Sequence, residues 1–117
     1  MNAPQAYRSS AVLTASPEQL VVMLYDGAIR FLRQAEALFD DGEWPQAIER
    51  IGRAQAIVDE LLCTLNMDAG ELPKRLELIY VFCAGHLRDA RLRKDVRRVR
   101  QVADLLGELR DAWAEIV

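Results

Sequence analysis

The 117-residue sequence predicts an all-α fold, an antiparallel four-helix up-down bundle with a flexible N-terminal arm. Three observations carry that expectation. Apolar residues recur at spacings of three and four along four separate stretches, the period of a helix face. Capping residues or glycines bound the stretches, and the connections are short, which makes consecutive helices antiparallel neighbours. No stretch sustains the period-two alternation of a half-buried strand.

Residues 1–15 are polar and small, with Tyr7, Val12 and Leu13 as apolar points and Pro4 opposing helix. They read as a flexible arm, as terminal segments of this kind usually are, or as a strap that folds back. Residues 16–117 form a single helical domain, large enough to bury a core without staples.

Helix 1 begins with explicit signals. Ser16 is an N-cap, Gln19 completes a Ser-x-x-Gln capping box, Pro17 takes the first helical position and Glu18 sits beside the positive helix end. The helix is expected from Pro17 to Asp40, with Gly42 as the glycine that ends it. Leu20, Leu24, Gly27, Phe31, Ala35 and Leu38 make the expected core stripe. Val21, Tyr25, Ala28, Leu32 and Phe39 widen it to about half the circumference, against the ~100° of an ordinary surface helix. Helix 2 is expected from Trp44 or Pro45 to about Leu65, with a seam of Ile48, Ile51, Gln55, Val58, Leu62 and Leu65. Ala54, Ile57 and Leu61 extend that seam sideways. Residues 66–70 read as a loop.

Helix 3 starts near Glu71, with Pro73 in its first turn, and ends near Lys94. Its face is Leu72, Leu76, Ile79, Tyr80, Cys83, Leu87 and Ala90. Asp95 caps helix 4, whose face is Val96, Val99, Ala103, Leu106, Leu109, Trp113 and Ile116, broadened by Val102 and Leu105.

The residues argue against catalysis. His86 is the single histidine, and with Cys83 it supplies too few ligands for a metal and no third group to orient a nucleophile. There is no Gly-rich phosphate loop, HExxH or Glu-x-x-His pair, so no catalytic, cofactor or metal residues are assigned. Fifteen basic against eighteen acidic residues give a net charge of −3, which exerts no general attraction on nucleic acid. Arg88, Arg91, Arg93, Lys94, Arg97, Arg98 and Arg100 cluster at one helix–helix turn without aromatic residues to stack on bases. They read as a solvated corner. Cys63 and Cys83 read as small core hydrophobes rather than a disulfide framework. No apolar run approaches the ~20 residues that span a bilayer, and no basic-then-apolar leader opens the chain. Neither membrane insertion nor secretion is expected, and the cytoplasm is the expected compartment. What remains is apolar surplus on helices 1, 2 and 4. Exposed apolar area of that kind marks an interaction site, suited to an amphipathic segment in a groove between helices.

Thr14-Ala15-Ser16-Pro17-Glu18, Leu20 and Met23-Leu24-Tyr25-Asp26-Gly27-Ala28-Ile29 resemble the start of the flagellin-specific secretion chaperones, the FliS family. The resemblance continues through Arg53-Ala54-Gln55-Ala56-Ile57, Leu61, Leu65, Met67, Leu76, Ile79-Tyr80 and Leu109-Arg110-Asp111-Ala112-Trp113. Arg53 replaces a lysine, Asn66 stands where Asp is common, and Val81-Phe82 stand where an acidic residue often follows the tyrosine. The resemblance implies a cytoplasmic chaperone that binds the disordered C-terminal segment of flagellin, prevents premature polymerisation and escorts it to a component of the flagellar export gate. A regulatory protein is a further partner to consider. The groove candidates are Leu20, Leu24, Tyr25, Ala54, Ile57 and Leu61, with Tyr7 and Leu13 covering the groove until flagellin displaces them. A generic helical-bundle adaptor or self-associating module, using the same apolar arcs, is the alternative.

Overall fold

The computed structural model describes residues 14–116; Tyr7 and Leu13 lie outside them. The described residues form four helices, α1 (Pro17–Asp40), α2 (Trp44–Thr64), α3 (Glu71–Arg93) and α4 (Val96–Ala114). α1 packs on α2 and α4, and α3 closes the bundle against the same two. α1 and α3 therefore face each other across the diagonal.

The local signals explain the boundaries. Ser16 Oγ accepts from the Gln19 N–H at 3.1 Å, and Gln19 Oε1 accepts from the Ser16 N–H at 2.9 Å. Two donors that the first turn leaves without helical partners are thereby satisfied. Gly42, at φ 78°, takes the left-handed turn after α1. α2 stops just short of Leu65, which is extended. Lys94 ends α3 in the left-handed region at φ 53°. Asp95 then accepts from the Arg97 N–H at 3.0 Å and opens α4.

The core departs from the expected stripes by one row. α1 buries the expected Ala35 together with Tyr25, Ala28, Leu32 and Phe39, which the pattern puts at the margin of the stripe, whereas Leu24, Phe31 and Leu38 pack around its edge. α2 buries Ala47, Ile51, Ala54, Val58 and Leu61, again a shift from the expected seam towards alanines. The reason is steric. Small side chains let helix backbones approach closely, and the larger neighbours then fill the periphery. At Gly27 an added Cβ would lie 3.3 Å from Ile57 Cδ1, so the glycine keeps room for that side chain. On α3 Leu72 is exposed, and Ile116 beyond α4 is exposed too. The apolar surplus expected on helices 1, 2 and 4 is found mostly on α3, where Leu72, Leu78, Val81, Phe82 and Leu92 all face solvent.

One polar contact crosses the core. The hydroxyls of Tyr25 on α1 and Tyr80 on α3 hydrogen-bond to each other, their rings 6.3 Å apart and tilted by 56°. Burial raises the pKa of both phenols and pushes the nearby Cys83 thiol up to about 11. Cys63, expected inside, is exposed instead, and both thiols are free.

Two stability outcomes follow. Cys83, Tyr25 and Tyr80 are favoured neutral in the folded chain, so their contribution is complete below the unfolded pKa and lost as pH rises through the folded one. Urea midpoints should be level from pH 7 to about 9, then fall as the Cys83 thiol passes from its ordinary 9.0 towards about 11; a midpoint that rises over that range contradicts the burial argument. Tyr80→Phe should cost about 1–3 kcal/mol by stranding the Tyr25 hydroxyl, while Tyr25→Phe with Tyr80→Phe should cost less than the two singles added. Chemical denaturation of the double-mutant cycle reads this directly.

Candidate partner-binding groove

α1 meets its two neighbours with different chemistry. Towards α4 the contact is stitched by charge. Arg110 Nε lies 2.8 Å from Asp26 Oδ1. Arg33 bridges Asp104 at 2.7 Å and Glu36 at 2.6 Å, and Arg100 reaches Glu36 and Asp40 at 3.7 Å. Trp113 Nε1 donates to the Glu18 carbonyl at 3.2 Å, tying the end of α4 to the start of α1. These pairs are solvent-accessible, so each contributes modestly, but together they cover this flank of α1 with polar groups.

Towards α2 the flank stays apolar. A depression of about 400 Å³ is lined by Leu20, Met23 and Leu24 from α1 and by Glu60 and Thr64 from α2. Helical spacing continues it along α1 through Gly27 to Phe31 and along α2 through Ile57 to Arg53. Gly27 and Ile57 are neighbours, and the Arg53 guanidinium lies 5.6 Å from the centre of the Phe31 ring, with Arg30 at 5.9 Å. Arg53 is held by Glu49 one turn earlier. The result is an apolar strip with Glu60 near one end and cations over an aromatic face at the other.

The candidates divide by depth. Leu20, Leu24 and Ile57 are half-buried on this strip. Tyr25, Ala54 and Leu61 are fully buried and form the interior beneath it. Tyr7 and Leu13 lie outside the described residues. Met23 and Phe31 belong to the strip as well. The apolar period alone puts Phe31 in the core stripe and leaves Met23 outside it; the rotation of α1 that buries the alanine row explains both observed positions.

A second cavity, of about 210 Å³, opens at one end of the bundle between Pro17, Val21, Leu65, Leu72, Leu76 and Trp113, with Tyr80 in its wall. It shares Thr64 with the α1–α2 depression. Among the described residues, no three His, Cys, Asp or Glu side chains gather where they could hold a metal ion. Cys83 is buried, with burial keeping its thiol protonated, and His86 points instead to α4, where its Nε2 meets Gln101 Oε1 at 2.5 Å. The basic corner is partly neutralised, with Arg98 3.2 Å from Asp95. No helix of the described residues is long and apolar enough to cross a membrane.

Comparison with known proteins places the architecture. The profile of the family described as "Flagellar protein FliS" matches residues 1–117. The flagellar secretion chaperone FliS of Vibrio cholerae is 33% identical over 117 residues, covering 96% of this chain and 86% of its own. That of Bacillus subtilis is 30% identical over 112 residues, covering 96% and 84%. That of Salmonella typhimurium is 34% identical over 109 residues, covering 92% and 81%. A solved structure titled "Crystal structure of flagellar chaperone from bacteria" superposes with a TM-score of 0.80 at 19% identity, covering 98% of this chain and 97% of that one.

Proposed function

The chain belongs to the FliS family of flagellar secretion chaperones, and we propose that its α1–α2 groove binds the disordered C-terminal segment of flagellin in the cytoplasm. Holding that segment keeps flagellin from polymerising early and delivers it to a component of the flagellar export gate. The observation that carries the reading is the asymmetry of α1. Its α4 flank is closed by ion pairs, whereas its α2 flank presents an open apolar depression.

An amphipathic tail is the ligand that this shape suits. It would lay its apolar face on Leu20, Leu24 and Ile57, and the burial gained would offset the cost of ordering a disordered segment. Tyr25, Ala54 and Leu61 act from beneath, fixing the height and angle of the residues above them. Arg53 and Arg30 beside Phe31 suit a carboxylate on the tail, and Glu60 suits a basic residue. In this reading Tyr7 and Leu13 cover the groove until the tail displaces them. The chain works by holding rather than by chemistry, so release follows from competition at the groove or hand-over at the gate, where a regulatory protein can also act.

Calorimetric titration with a peptide of the last ~40 residues of flagellin tests the groove, with a negative heat-capacity change as the mark of apolar burial on coupled folding. Leu24→Asp should weaken binding about tenfold or more, since one buried leucine is worth about 1.5–3 kcal/mol. Leu78→Asp, on the opposite side, should leave it unchanged. Equal affinity of the wild type and Leu24→Asp would place the tail elsewhere. Removing residues 1–13 should raise affinity if the arm competes, and a loss of affinity would make the arm a clamp.

A further inference from the structure

The basic residues around the α3–α4 turn do not all have the same surroundings. Arg97, Arg98 and Arg100 have carboxylate partners within the chain. Arg88 and Arg91 sit apart from them, on the flank of α3 that meets α2. With Ile48 of α2 and with Leu92 they line a depression of about 380 Å³, where α2 begins and α3 ends. Among the described residues neither Arg88 nor Arg91 makes an ion pair.

Both guanidiniums are nevertheless positioned. Arg91 Nη1 donates to Gln55 Oε1 at 2.7 Å. The same guanidinium lies flat over the Gly52 backbone, with Cζ at 3.8 Å and both Nη atoms at 3.9 Å from the point that a Cβ there would occupy. Arg88 turns back along α3, with Nη2 3.5 Å from the corresponding point at Gly85. Gln55 occupies one N–H of the Arg91 fork and leaves the others for a ligand. A guanidinium already held in this way lowers the ordering cost of binding.

The chemistry of the depression defines its ligand. Two guanidiniums without carboxylates call for carboxylates, which such forks bind through paired N–H···O bonds. Arg88 and Arg91 are one helical turn apart, a rise of about 4.5 Å along α3. Carboxylates three or four residues apart on a helix lying along α3 match that rise, whereas alternate residues of an extended chain stand about 6.6 Å apart. Ile48 is half-buried and Leu92 is 76% exposed, so an apolar side chain on the same face of that helix has a place between them. Residues 1–13 are not this helix, because they contain Arg8 and no carboxylate side chain.

We propose that the α2–α3 depression docks an acidic amphipathic helix of a second protein, with carboxylates one turn apart on Arg88 and Arg91 and a leucine-sized side chain between Ile48 and Leu92. The site lies on the other flank of α2 from the α1–α2 groove, since Gln55 and Ile57 project about 200° apart. α2 is thus a wall common to two sites, and both can be filled at once.

Two-dimensional NMR of the isotopically labelled chain, titrated with a blocked alanine-based helical peptide carrying a Glu-x-x-Leu-Glu repeat, tests the proposal. The amide signals of Gly52 and Gly85 should shift and saturate. The same peptide with Gln in place of Glu should bind about tenfold more weakly or worse. Arg88→Glu with Arg91→Glu should lose the acidic peptide and accept a version with Lys in place of Glu, with helical circular dichroism unchanged because both positions are exposed. Arg93→Glu, on the α4 flank of α3, should cost less than about threefold at physiological salt, where distant charges are screened. Equal binding of the Glu and Gln peptides overturns the proposal. Equal losses from Arg93→Glu and Arg88→Glu also overturn it, by reducing the site to general attraction. So does binding of phosphatidylglycerol vesicles by protein that is inert to the peptide, which would make the corner a lipid contact. The double reversal should leave affinity for the flagellin peptide unchanged, and a loss there would give this depression to the flagellin tail instead. Leu24→Asp, which tests the α1–α2 groove, should leave the acidic peptide bound as before.

Discussion

The close approach of α1 to α2 decides most of what this bundle can do. Both helices turn small side chains inward, Ala28 and Ala35 from one and Ala47 and Ala54 from the other, all without solvent exposure. A helix that buries its alanines must carry its bulk elsewhere. α1 therefore aims Tyr25 across the core to Tyr80 and leaves Leu20, Met23 and Leu24 along the α2 flank. Gly27 belongs to the same arrangement, because it leaves Ile57 its place at the junction. The apolar strip follows from tight interior packing, which leaves the large residues nowhere else to go.

The tyrosine pair has a different effect. A hydrogen bond between two buried hydroxyls adds little net stability over two well-packed phenylalanines, but losing one partner is costly. Its value lies in specificity. Tyr25 and Tyr80 can meet only when α1 and α3 stand diagonally opposite at one rotation and one height, so the contact disfavours bundles in which either helix has slipped by a row. α1 is the helix most in need of such a constraint, because two adjacent rows of its surface are apolar and either would serve as a core.

That ambiguity also explains what could be read from the sequence. The capping box at Ser16, the glycine at 42 and the Asp95 cap were legible because each acts through neighbours within three residues. Helix number and boundaries followed from them. The rotation of α1 and α2 was not legible, since a periodic pattern fixes the period of a stripe but not which of two adjoining apolar rows lies deepest. Tyr25, Ala54 and Leu61 consequently read as surface candidates when they are interior. On α3, Leu78, Val81 and Phe82 are not legible as a surface in the sequence for the opposite reason. They sit off the core face, and single exposed apolar residues need no explanation. Only when placed side by side on one arc, with an aromatic ring braced against His86, do they form a surface.

The two unpartnered faces differ in a way that bears on how each can bind. The α1–α2 strip is a groove whose floor is rigid core, so a flexible chain can adapt to it and bury side chains from two helices at once. The α3 face is the convex back of a single helix, with no second wall. A disordered segment laid there would order its whole length in return for one line of contacts, which is a poor exchange when each residue fixed costs about 1–2 kcal/mol. A convex stripe favours a partner that is already folded and already carries a complementary ridge. Groove and ridge thus sort ligands by their order before binding: the groove suits a segment that folds as it binds, the ridge a helix that is preformed.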